Sequence, residues 1–196
     1  MTKSLIKVNG GVNDKKYPAR QNGKLTKTYS CWSHMFTRCY DEKVHESRSN
    51  YAECSVGEDF KLFSSFSDWC AEQKGFFLEG TQLDKDLLYP KNKVYSGETC
   101  CFIPRNVNNF LAFSTPKNNL PVGVYYNKYA NKYHVQVNNG EGKSLHIGYY
   151  PSVDDAVSEY TTSKNNIAKR LAEKYRNILD EKVIDALLNF DVGQYI

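Results

Sequence analysis

The hydrophobic positions along the chain fall into blocks of helical and strand-like spacing. Over 30–40, Trp32, Met35, Phe36 and Cys39 recur three and four residues apart, which predicts a helix with Ser30 as its N-cap. The polar stretch 41–50 predicts a loop. A second helix is predicted near 59–73, with Phe60, Phe63, Phe66 and Cys70 on one stripe and Trp69 beside it. Residues 83–88 and 94–104 read as two short strands joined by the turn-rich Tyr89-Pro90-Lys91-Asn92-Lys93. A brief helix over 107–111 completes a ββα unit.

Residues 114–121 interrupt both periods with Pro and Asn and read as a linker. Beyond it, 123–126, 132–137 and 144–150 are predicted strands, and Asn139-Gly140 marks a tight turn. Ser152 is placed to cap a long helix striped by Val153, Ala156, Val157, Tyr160, Ile167, Leu171 and Tyr175. A last helix near 180–190 presents Val183, Ile184, Leu187 and Leu188. The predicted class is α+β in two parts: an N-terminal helical and ββα unit, then a three-stranded antiparallel sheet packed on a helix. The expected division is an arm over 1–28, the ββα unit over 29–113, the linker over 114–121 and the sheet domain over 122–196.

Composition narrows this picture. The chain has 196 residues, 40% of them hydrophobic and 14% aromatic, enough large apolar surface for a packed core. Its apolar runs are far shorter than the roughly 20 residues a membrane helix needs, and the start has no signal-peptide pattern. A soluble, unexported protein is expected. The formal net charge of +4 is unevenly spread: residues 1–30 carry seven basic groups against one acid, Asp14. Such an arm suits a polyanion, through Lys15, Lys16, Lys24 and Lys27, or is simply a solvated terminus. Arg38, one helical turn from His34, is also within reach of a phosphate.

The six cysteines, at 31, 39, 54, 70, 100 and 101, form no CxxC pair. Cys39, Cys54, Cys100 and one of His34 or His45 would have to converge from scattered positions to hold zinc. Isolated cysteines more simply read as small buried hydrophobes, so structural zinc is not expected.

Two groups of spaced residues have the look of known families. Trp32, Met35, Arg38, Cys39 and Tyr40, then Phe60, Phe63, Phe66 and Trp69, then Leu83-Asp84-Lys85-Asp86, Tyr95-Ser96-Gly97-Glu98-Thr99-Cys100 and Ile103-Pro104 with Val107-Asn108, together resemble phage-encoded proteins of the His-Asn-His homing endonuclease type over about residues 29–112. Gly123-Val124-Tyr125, Lys132-Tyr133-His134-Val135, Leu145-His146-Ile147-Gly148-Tyr149-Tyr150 and Asp155-Ala156-Val157-Ser158-Glu159-Tyr160 resemble the plant ethylene-response-factor type of DNA-binding domain, over about 121–175. That resemblance implies a three-stranded sheet laid in the major groove of duplex DNA with a helix behind it. The order of the two implies a phage protein acting in the cytoplasm of a bacterial host.

The nuclease resemblance implies metal-dependent phosphodiester hydrolysis, with a base at the end of the first strand. That base position falls at Lys85, where the family has His, and no His lies in 46–133. The orienting position falls near Thr99 and the late metal-ligand position near Asn108 or Asn109. Two aspartates beside Lys85 favour its charged form and oppose a role as base. Asp84, Asp86 and Glu98 are candidate Mg²⁺ ligands. The same charges read equally as a strand whose groups pair with each other, Asp84 or Asp86 with Lys85 or Lys93. If the nuclease chemistry is lost, the chain is a non-enzymatic DNA-binding regulator or an inhibitor of a host protein. In the sheet domain, Lys128, Lys132 and Lys143 are candidate phosphate contacts, and His134, Gln136 and His146 candidate groups facing bases. Gln136 has the two hydrogen bonds that read adenine. Alternation places Tyr126, Lys128, Lys132, His134 and Gln136 outward and Val124, Tyr133, Val135 and Val137 toward the helix.

Overall fold

The computed structural model describes residues 6–113 and 120–195. It is α+β, with helices and several small sheets. The chain divides into two compact units, Met1–Phe102 and Ile103–Ile196.

The first unit opens with two tight hairpins, so residues 9–26 are folded where a basic arm is expected. Strands β1 (Ile6–Val8) and β2 (Gly11–Asn13) pair antiparallel, as do β3 (Arg20–Gln21) and β4 (Lys24–Leu25). Both turns are Asn-Gly, with φ of 43° and 96° at Asn9-Gly10 and 50° and 76° at Asn22-Gly23. Two successive left-handed residues give the turn whose twist matches a hairpin, and Asn-Gly tolerates it best. Gly11 is buried against Trp32 and Phe36. A Cβ there would lie 2.6 Å from the Trp32 ring, so the strand ties the N-terminal segment to the core.

Helix α1 (Lys27–Tyr40) starts ahead of Ser30: Thr26 is the N-cap, its hydroxyl accepting from the Tyr29 amide at 3.2 Å. The first turn is polar, so the apolar period visible in the sequence begins only in the second. Trp32, Met35, Phe36 and Cys39 are buried as predicted. The stretch 41–50 is not a loop throughout. It holds α2 (Glu42–Ser47), started by the Asp41 carboxylate on the Lys43 amide at 3.0 Å. None of its residues is buried, so it leaves no hydrophobic period to read.

After β5 (Ser55–Val56), the helix expected at 59–73 is two: α3 (Glu58–Lys61) and α4 (Phe63–Glu72). The break is Leu62, whose extended backbone makes a parallel bridge to Val12. Phe60, Phe63 and Phe66 still reach one core, with T-shaped packing of Phe60 on Phe66 at 4.9 Å. Trp32 donates its indole N–H to the Phe60 carbonyl at 2.8 Å, which satisfies a fully buried ring nitrogen. A short helix α5 (Lys74–Phe77) leads to β6 (Thr81–Asp84).

The two strands expected over 83–88 and 94–104 are rearranged. β7 (Val94–Tyr95) pairs parallel with β5, while β6 pairs with β8 (Cys101–Pro104), within which the division between units falls. A turn at 96–100 separates β7 from β8: Ser96 Oγ and Thr99 Oγ1 lie 3.0 Å apart, and the Cys100 amide donates to the Ser96 carbonyl.

The second unit holds α6 (Arg105–Leu111), the sheet β9 (Val124–Asn127), β10 (Lys132–Asn138) and β11 (Ser144–Tyr150), then α7 (Val153–Tyr175) and α8 (Glu181–Leu188). Helix α6 belongs with the sheet: Asn106 donates to the Gly140 carbonyl and accepts from the Tyr175 hydroxyl at 3.0 Å. The expected linker lies mostly outside the described residues. The sheet is antiparallel with β10 in the centre. Ser152 caps α7 as predicted, accepting from the Asp155 amide at 3.1 Å. Ala156, Tyr160, Ile167, Ala168, Leu171 and Ala172 are buried, while Val153, Val157 and Tyr175 lie half-buried at the margins. One rung of that buried stripe is a lysine, Lys164, 2% exposed.

Candidate functional site

Asp84, Lys85 and Asp86 are brought together where β6 ends, but as the frame of a turn. One Asp84 oxygen, Oδ2, accepts from the amides of Asp86 at 2.9 Å and Leu87 at 2.7 Å. Burial pushes this carboxyl up to about 6, against the opposing pull of those amides. Lys85 is buried too. Its ammonium donates to Asp86 at 2.6 Å and to the Asn92 carbonyl at 2.6 Å. Asn92 closes the loop, its amide donating to the carbonyls of Lys85 at 3.0 Å and Val94 at 2.6 Å. The pairing of Lys85 with Asp86 is the charge pairing that the sequence offers beside a metal site. Glu98 accepts from the Tyr89 hydroxyl at 3.4 Å. Asn108 lies on α6 of the second unit.

Two of these carboxylates already have partners. One oxygen of Asp84 is committed to backbone amides, and Asp86 already neutralises an ammonium. Among the described residues, no three His, Cys, Asp or Glu side chains are grouped to hold a metal ion. Burial pushes the Cys39 and Cys100 thiols up to about 12, and raises those of Cys54 and Cys70. His45 Nε2 lies 2.9 Å from the Arg38 carbonyl.

The N-terminal lysines are turned to unequal uses. Lys16 is paired with Asp68 at 2.9 Å. Lys27 donates to the carbonyls of Phe76 and Leu78 and to the Thr81 hydroxyl, stitching α1 to the end of α5 and the segment after it. Lys15 is half-buried with φ of 61°, and Lys24 is exposed on β4. Arg38 is half-buried, its guanidinium 5.7 Å from the Tyr51 ring centre.

The sheet of the second unit keeps more polar groups together and open. Register pairs His134 with Tyr125 on one side and Tyr149 on the other, and Gln136 with His146. The outer face therefore carries Tyr125, Lys132, His134, Gln136, His146 and Tyr149. Tyr126 pairs with Tyr133 instead and shares the face of Val124 and Val135, a correction to the expected alternation. Strict alternation along β11 would also put His146 and Tyr149 on opposite faces. A β-bulge prevents this. Val135 pairs with Gly148 and Gln136 with His146, so Ile147 is the extra residue, and beyond it His146 comes round to join Tyr149. The rings meet: His146 to Tyr149 at 4.9 Å, His134 to His146 at 5.8 Å, and His134 to Tyr125 at 5.2 Å. Lys128, Lys132, Gln136, Lys143 and His146 are exposed.

Charge completes the description of this face. Between 120 and 150 the one acidic residue is Glu141, and it is paired with Lys174 at 3.1 Å. Tyr125 and Tyr149 are not among the residues that the sequence pattern places on this face. Their place follows from the register and the bulge. No protein-family model, curated protein or solved structure matches the chain. No helix among the described residues is long and apolar enough to cross a membrane.

Proposed function

We propose that the chain is a duplex-DNA-binding protein of the phage homing-endonuclease type, holding DNA on the outer face of β9, β10 and β11. The observation that carries this reading is that face itself: lysines, two histidines and a glutamine assembled by a bulge, with the one carboxylate between 120 and 150 already paired. Exposed lysines there attract a polyanion, and the major groove admits a sheet of this kind. Lys128, Lys132 and Lys143 contact phosphates, while Gln136 and His134 face base edges.

The turn at Asp84–Asn92 favours binding without cutting. Lys85 stands where the nuclease resemblance needs a base, and its side chain is buried with its ammonium engaged by Asp86 and the Asn92 carbonyl, so it is not free to face an attacking water. Mobility shift and plasmid nicking with the full chain, each with and without Mg²⁺, test both parts. The expected result is a shift at low salt and no nick. Absence of a shift removes the DNA-binding reading. A Mg²⁺-dependent nick that disappears in Asp84→Ala with Asp86→Ala restores the enzyme.

A further inference from the structure

We propose that Tyr129, at the tip of the β9–β10 hairpin, is a stacking wedge that takes a nucleobase displaced from the helical stack. The inference rests on the DNA-binding reading above and adds a second mode of recognition to it.

Tyr129 is fully exposed, its phenol ring clear of the rest of the chain. An isolated exposed tyrosine needs no explanation, but this one is not isolated. Of the large hydrophobic residues exposed among the described residues, Tyr149 lies on the outer face of the same sheet, while Tyr126 and Leu145 lie on the other. The backbone under Tyr129 is held in place. Asn127 Oδ1 accepts from the amides of Tyr129 at 2.9 Å and Ala130 at 3.0 Å, an Asx turn. On the other side Asn131 adopts a left-handed φ of 50°, and its side-chain oxygen accepts from the Tyr126 hydroxyl. The backbone of the tip is therefore ordered before anything binds, so little backbone conformational entropy is lost when the ring is used.

The surroundings select the partner. Lys128 and Lys132 flank the ring in sequence and are exposed, and no carboxylate occurs between 120 and 140. An exposed aromatic ring flanked in sequence by two lysines matches a nucleobase with phosphates on either side of it. Base–aromatic stacking is tolerant of sequence, because every base has a π-face. The wedge therefore complements Gln136, which reads a base edge.

The test uses the full chain and two labelled duplexes of one sequence, one fully paired and one with a single mismatch, where a base leaves the stack at lower cost. Wild type is expected to bind the mismatched duplex more tightly. Tyr129→Ala should bind it about 5- to 150-fold more weakly, the range set by loss of one stacked base, and should equalise the two duplexes. Tyr129→Phe should match wild type, since stacking needs the ring and not the hydroxyl. Because the ring packs on nothing, neither substitution disturbs the packing of the fold. If wild type binds and Tyr129→Ala retains both affinity and preference, the wedge is refuted and the sheet interface stands. If wild type binds neither duplex at low salt, the interface fails with it.

Discussion

Lys164 shows what one buried charge does to the second unit. Its ammonium donates to the Phe110 carbonyl and sits 3.9 Å from the centre of the Phe110 ring and 4.8 Å from that of Phe113. Phe110 lies in the last turn of α6, where carbonyls lack partners within the helix, so the lysine caps that end. Burial pushes the group down from 10.5 to about 8. In the folded state it releases its proton earlier, so the unfolded chain holds more protons between those values. Stability should rise with pH across that window, by about 3 kcal/mol. Denaturant titrations of wild type and Lys164→Met, compared pH by pH, isolate this from the thiols and phenols that titrate nearby. The variant should lack the rise. Asp84 behaves in the opposite sense. Its folded value of about 6 lies above the ordinary 3.8, so the folded state holds the extra proton and stability should fall as pH rises between them. Asp84→Asn keeps an oxygen for the two amides and should flatten that fall.

At the scale of elements, the packing of sheet on helix is set by close approaches as much as by the apolar stripe. Gly123 precedes β9 with φ of 77°, and a Cβ there would lie 2.1 Å from the Tyr160 ring on α7. Gly123→Ala combines a disfavoured backbone with overpacking and should cost about 2–4 kcal/mol, read from the denaturation midpoint. The elements legible in the sequence are those with a buried stripe: the core of α1, the three strands, and α7 from Ser152 onward. Those that were not legible share a physical cause. Helix α2 buries nothing, the break at Leu62 depends on a distant strand, and the bulge at Ile147 is fixed by pairing with β10. The hairpins at Asn9-Gly10 and Asn22-Gly23 carried a usable signal, the same dipeptide that marks 139–140, but the lysines around them read as an unstructured charged tail. In the candidate sites, residue types were legible and geometry was not. Spacing put Asp84, Lys85 and Asp86 together, and only the structure shows their groups turned on one another.

Across the whole molecule, the distribution of charge in the sequence and its distribution in use differ. Residues 1–30 hold the densest basic charge, yet Lys16 and Lys27 are spent on Asp68 and on carbonyls of the same unit. The sheet has fewer cations, but Lys128, Lys132 and Lys143 stand exposed. On duplex DNA the slope of log K against log salt should flatten by about 0.9 for every phosphate that a lysine no longer neutralises. Replacing Lys128, Lys132 and Lys143 together by Ala should thus reduce the slope by about 2.7, with affinity falling equally on all sequences. Replacing Lys15, Lys16, Lys24 and Lys27 should move it far less and should lower the thermal midpoint, because Lys27 links α1 to the carbonyls of Phe76 and Leu78. Binding measured from about 50 to 200 mM salt, with thermal melts of the same proteins, separates the two sets. A larger slope change in the N-terminal set would place the DNA on the first unit and not on the sheet.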